Sequence, residues 1–205
     1  MAIIEVVFPQ LKKDADSVKA ALEKLPVAHR AFREGGATRG SQGFMVSENG
    51  KDTTSDFREV VMLEWPTEST FHDFVGSPVF GDFMAAIKPY ATGPPQLNLF
   101  ETNDGSHLFS SGILEVLLIS PKSAEDVRAI LNKVQLSLDK ANDSISVYGS
   151  SLNLPEKKIA IMRVFTSNAE LDFARNSSYR QEFLKEIETL AEVIQYVVDT
   201  KQIPL

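Results

Sequence analysis

The chain has 205 residues, room for one large domain or two small ones, and its 43% hydrophobic and 24% charged content is that of an ordinary globular protein. A net charge of -7 without a dense Lys/Arg stripe argues against a nucleic-acid backbone as partner, and no apolar run approaches the roughly 18 residues that span a bilayer. The absence of cysteine removes disulfides, thiolate nucleophiles and cysteine-ligated metals together.

Residues 2–8 are apolar and β-branched around Glu5 and stop at Pro9, which predicts a buried strand rather than a signal peptide, and a cytoplasmic protein. Within 14–34, Val18, Ala21, Leu22 and Leu25 recur at helical spacing; Pro26 kinks or splits the segment and Gly35-Gly36 ends it. Residues 38–47 predict a second strand, and Asn49-Gly50-Lys51-Asp52 a turn. From 57 to 65 the side chains sort by parity: Glu59, Val61, Leu63 and Trp65 share one face, Arg58, Val60, Met62 and Glu64 the other. Pro66-Thr67-Glu68-Ser69 opens a helix lined by Phe71, Phe74 and Val75. Ser77-Pro78 restarts it, and Phe80, Phe83, Met84 and Ile87 carry the apolar stripe on to Gly93-Pro94-Pro95. A short strand over 96–100 completes a βαββαβ order, the ferredoxin-like pattern.

Residues 102–112 are polar and predict a flexible linker. The order then repeats: strand 113–119, helix 123–140 capped by Ser123, strands 144–149 and 157–165, a helix over 168–190 and strand 194–198, with 200–205 unassigned. The residues repeat as well. Ile3-Ile4-Glu5-Val6-Val7 answers Ile113-Leu114-Glu115-Val116-Leu117, and Trp65, Phe71, Phe74, Ser77 and Phe83 answer Phe165, Leu171, Ala174, Ser177 and Phe183. A period of about 100 residues is a whole domain rather than a solenoid unit, so 1–101 and 113–205 read as two ferredoxin-like domains. Helices cover only one face of such a sheet; Ile4, Val60 and Met62 on the other face need cover too. Packing the two sheets together supplies it, as an eight-stranded α+β barrel in one chain: a monomeric pseudo-dimer, open to further homodimerisation.

The strand leading into Trp65-Pro66-Thr67-Glu68, followed by Ser77-Pro78-Val79-Phe80 and Phe83, resembles the dimeric α+β barrel superfamily in its antibiotic biosynthesis monooxygenase branch, in both halves but more clearly in the first. The resemblance implies a pocket between sheet and helices, a small aromatic or polyketide-like ligand, and cofactor-independent oxygenation in which the substrate anion itself reduces oxygen. It equally implies two alternatives: a polyketide cyclase or dehydratase, and a non-catalytic ligand-binding or stress-type barrel. Haem-degrading members carry a histidine where Met84 stands and an asparagine around Glu5, so haem is not expected here. Many monooxygenase-like members carry a histidine where Phe74 stands.

Trp65 has the parity to face such a pocket and stack on a planar substrate, or to serve as a core aromatic; Phe71, Phe74 and Phe83 stand on the helices opposite. Glu5 and Glu115 sit inside apolar strands, where a carboxylate is costly unless paired or neutral. Arg163, on the neighbouring strand, is placed to pair with Glu115. Leu63 holds the matching position in the first half, which leaves Glu5 a candidate acid or base with a raised pKa. His29, after Pro26, is a second candidate base at a pocket mouth, and the phenols of Tyr90 and Tyr148 can hydrogen-bond a substrate carbonyl or phenolate. None of His29, His72 and His107 has a second ligand at metal-like spacing, so no metal site is predicted. The aromatic-rich first half predicts a large apolar pocket there, and the polar second half a structural role.

Overall fold

Strand pairing closes the chain on itself. The computed structural model describes every residue except Ser106. Its first half runs β1 (Ala2–Phe8), α1 (Ala15–Leu22), α2 (Leu25–Glu34), β2 (Arg39–Glu48), β3 (Lys51–Asp52), β4 (Glu59–Trp65), α3 (Glu68–Val75), α4 (Pro78–Ile87) and β5 (Gln96–Thr102). The second runs β6 (Gly112–Pro121), α5 (Asp126–Ala141), β7 (Val147–Ser151), β8 (Ile159–Phe165), α6 (Asn168–Arg175), α7 (Ser178–Ile187) and β9 (Ala191–Gln202). The strand order is β3-β2-β4-β1-β5-β7-β8-β6-β9, and a β2–β9 pairing joins the ends into an antiparallel barrel, with the short β3 outside it. Each half thus contributes four strands in ferredoxin-like order, and the barrel has two seams, β5–β7 and β2–β9.

Parity decides which layer each side chain enters. Ile4, Val6, Val60, Met62, Leu114, Val116 and Met162 meet inside the barrel. Val7, Val61, Leu63 and Trp65 face outward onto the helices of the first half. The helix ends are fixed locally: Asp14, Thr67, Ser77, Ser167 and Ser177 each accept a backbone N–H from the first turn of the following helix. Pro26 occupies the first turn of α2, so the expected kinked helix is two helices.

Several boundaries differ from the sequence reading. The helix expected over 168–190 breaks at Asn176-Ser177, where Ser177 caps a new helix, the same break that Ser77 makes in the first half. Strand β4 starts at Glu59 because Phe57 adopts a left-handed conformation (φ 50°) after a turn of 3-10 helix. Strand β7 starts at Val147 because Asp143 holds Ile145 and Ser146 in a side-chain-capped turn. The segment expected to be a flexible polar linker drives Leu108 and Phe109 into the barrel interior, with 0% and 4% exposure. The unassigned C-terminal residues extend β9, and Ile203 inserts into the sheet–helix layer of the first half, its N–H donating to Gly40 O at 2.8 Å.

Candidate functional site

Glu5 is the one acid in an otherwise apolar β1, opposite Leu63 of β4. It is 3% exposed, and its only hydrogen bond among the described residues comes from the indole Nε1–H of Trp65 to Oε2, at 2.9 Å. Burial without a cation pushes its pKa up to about 7, although the indole bond works against the rise. Glu59 lies four residues before Leu63 on the same face of β4, about 13 Å along the strand at the usual rise. Among the described residues nothing hydrogen-bonds its carboxyl, and burial raises its pKa to about 7 as well.

Both acids line an apolar cavity of about 70 Å³ between the sheet and α1, α2, α3 and α4. Val7, Val61, Leu63 and Leu97 floor it; Phe32, Phe74, Phe80 and Phe83 roof it. The roof rings interlock edge to face, with Phe32 at 5.4 Å from Phe83 and Phe74 at 5.2 Å from Phe80. Gln42 of β2 adds an amide whose oxygen meets His29 Nε2 at 2.9 Å, and Lys24 stands in the wall without an ion pair to either acid. The cavity is narrow, yet none of the residues of its lid helix α4 is fully buried.

The residues singled out from sequence fall into four groups. Glu5, Phe74 and Phe83 line this cavity. Trp65 and Phe71 lie behind it in the core, with ring centroids 5.9 Å apart, so Trp65 holds Glu5 and packs on Phe74 rather than forming the wall. His29 stands one hydrogen bond back from the wall through Gln42. Tyr90 ends the helical turn after α4, outside the cavity, and Tyr148 packs under α5 in the second half. Glu59 was missed, although its parity with Trp65 marks it.

The Glu115–Arg163 pair does not form, although the two residues are register partners. Arg163 turns to Asp143 (2.8 Å) and Glu170 (3.1 Å) and lays its guanidinium 4.6 Å above the centre of the Phe165 ring. Glu115 is held instead from α6, α7 and β9. Arg180 binds it through both Nη groups at 2.5 and 3.0 Å, Arg175 through Nε at 3.1 Å and Gln195 through Nε2 at 2.5 Å. The register that matches Trp65 to Phe165 and Val7 to Leu117 puts Val75, Phe80 and Leu97 at the first-half equivalents of these three partners. Equivalent acids thus sit in opposite surroundings, one clamped and one nearly alone. The expected apolar pocket is in the first half but is not large: the second half carries the roomier, more open and more polar clefts, of about 660 and 620 Å³.

No protein-family model and no curated protein matches the chain. Solved structures do match its fold. A candidate monooxygenase from Fusobacterium nucleatum superposes with a TM-score of 0.70 at 13% identity, over 98% of this chain and 94% of that one. An anthrone oxidase-like protein superposes with a TM-score of 0.69 at 9% identity, over 100% and 94%. The fold is the tandem α+β barrel of two ferredoxin-like repeats that the sequence predicts, shared with these two proteins. A major regulator of staphylococcal pathogenesis shares it more distantly, with a TM-score of 0.54 at 9% identity over 96% and 98% of the two chains, so the fold alone does not choose a chemistry. Among the described residues, no helix is long and apolar enough to cross a membrane, and no group of His, Asp and Glu is arranged to hold a metal ion.

Proposed function

We propose that the first half binds a small, neutral aromatic or polyketide-like molecule with an acidic C–H or phenol, and that Glu5 is the base that ionises it for reaction with dioxygen. The observation that carries this reading is Glu5 itself: an acid inside an apolar, ring-lined cavity, held by a single indole bond, with a pKa near neutrality. Such a group is half-ionised at working pH and accepts a proton with little driving force wasted. In the proposed reaction Glu5 takes the proton, the substrate anion adds to oxygen, and O–O cleavage leaves a new carbonyl. A methylene and dioxygen become a ketone and water, with no external reductant. Trp65 positions the carboxyl; Phe74, Phe80 and Phe83 bind the rings. A cavity of about 70 Å³ is below the few hundred Å³ of a typical ligand site, so entry requires α4 to lift.

The test is a screen of anthrones, hydroxyquinones and related phenols in air without added cofactor, reading thermal shift, absorbance and oxygen uptake. Consumption coupled to oxygen uptake, reduced at least 100-fold in Glu5→Gln with binding retained, supports the reading. Consumption without oxygen uptake points to the cyclase or dehydratase alternative. Stabilisation without turnover, unchanged by Glu5→Gln, leaves a binding barrel.

A further inference from the structure

The two second-half clefts adjoin, sharing Leu117 and Arg180 in their walls. Glu115 lines the larger cleft, Arg175 and Gln195 the other, and Arg180 both, so the clamp on Glu115 lies at their junction. One side is basic. Arg175, Arg180 and Lys185 line it against the single acid Glu188, while Glu115, in the wall of the adjoining cleft, faces two guanidinium groups with one carboxylate. Arg175 spends only Nε on Glu115; its Nη2 is buried without a partner, and among the described residues its Nη1 and the Lys185 ammonium make no hydrogen bond. The other side is aromatic. Phe165 and Phe183 are buried within it, its carboxylates Glu115, Asp143 and Glu170 are each paired with an arginine, and at its rim Phe173 is 81% exposed and Tyr179 43% exposed. A near-free phenylalanine beside a roomy cleft is surface left uncovered by the chain itself. The first half has nothing comparable, because Val75, Phe80 and Leu97 replace the cations and the glutamine.

From this juxtaposition we infer that the second half is a separate binding site for an aromatic or amphipathic carboxylate. The ligand's anionic head lies against Arg175 and Lys185, and its apolar body extends across Arg180 toward Phe173. Guanidinium recognises a carboxylate through paired N–H donors, and a partly desolvated Arg rewards a charged ligand far more than its neutral isostere.

Calorimetric titration of the full chain with 2-naphthoate and with the neutral 2-naphthamide tests this. The indole N–H cross-peak of Trp65, the chain's single tryptophan, reports in parallel on the first cavity. The expected result is at least tenfold tighter binding of the carboxylate, with the indole peak unmoved. Arg175→Gln and, independently, the surface change Lys185→Gln weaken the carboxylate selectively, and Phe173→Ser weakens both probes. Equal affinity for the two probes, no binding at millimolar concentration, or an indole shift that saturates with the heat would overturn the assignment.

Discussion

Above neutral pH the first cavity must hold two carboxylates in apolar surroundings, and that has a measurable consequence. In the unfolded chain both release their protons near 4.5; in the folded chain Glu5 and Glu59 keep them to about 7. Between those values the folded state binds more protons, so raising the pH through this window lowers stability, and the loss is complete above about 7. Each group contributes at most roughly 3 kcal/mol, less for the partly exposed Glu59. Urea denaturation of Glu5→Gln should therefore show a flatter pH profile and a gain of up to that size at pH 8, since glutamine still accepts the indole N–H. Trp65→Phe should move the Glu5 titration upward by removing the bond that opposes burial; a downward shift on carboxyl-resolved NMR would refute that role. The isolation of Glu5 was legible from the strand pattern, because Leu63 stands where a partner would be. The true partners of Glu115 were not. Strand register proposes Arg163 as its neighbour, whereas Arg175 and Arg180 arrive from helices whose rotation the pattern does not fix.

At the level of elements, the break between paired helices recurs in both halves with the same device. Ser77 Oγ accepts from Phe80 N–H and donates to Phe74 O, and Ser177 makes the same two bonds with Arg180 and Ala174. Alanine at either position should cost about 1 kcal/mol. Because the caps set the entry angles of α4 and α7, the two changes should part in function: Ser77→Ala perturbs aromatic binding in the first cavity, and Ser177→Ala the carboxylate site. Equal effects on both sites in paired titrations would rule this out. Ser77-Pro78 announced the first break; the second lacks proline and read as one helix. The strands and their faces were readable from parity and turn residues, and their order from the βαββαβ pattern. The interior placement of Leu108 and Phe109 was not, since two apolar residues in a polar run carry no period, and only barrel closure creates the space they fill.

The whole molecule closes at two seams, and one pair of glycines guards both. Gly43 of β2 faces Thr200 of β9, and Gly149 of β7 faces Thr102 of β5. The threonines are equivalent in turn: Thr102 donates to Ala2 O and Thr200 to Gly112 O. A Cβ at Gly43 would lie 1.8 Å from Asp199 O, and at Gly149 1.9 Å from Glu101 O. These obstacles are backbone, so no rotamer change relieves them; the strands must separate. Overpacking in a core ordinarily costs about 1–3 kcal/mol, and displacing a ladder strand should exceed that. Gly43→Ala and Gly149→Ala are each expected to lose about 3 kcal/mol or more in urea denaturation. The barrel interior draws Ile4, Val60 and Met62 from one half and Leu114, Val116 and Met162 from the other, so opening either seam exposes a core that neither half can keep alone. Unfolding should therefore remain one transition, with Trp65 fluorescence from the first half and far-ultraviolet dichroism from both halves moving together. Two separated transitions in either variant would mean that the halves hold their own cores and that the barrel only docks them.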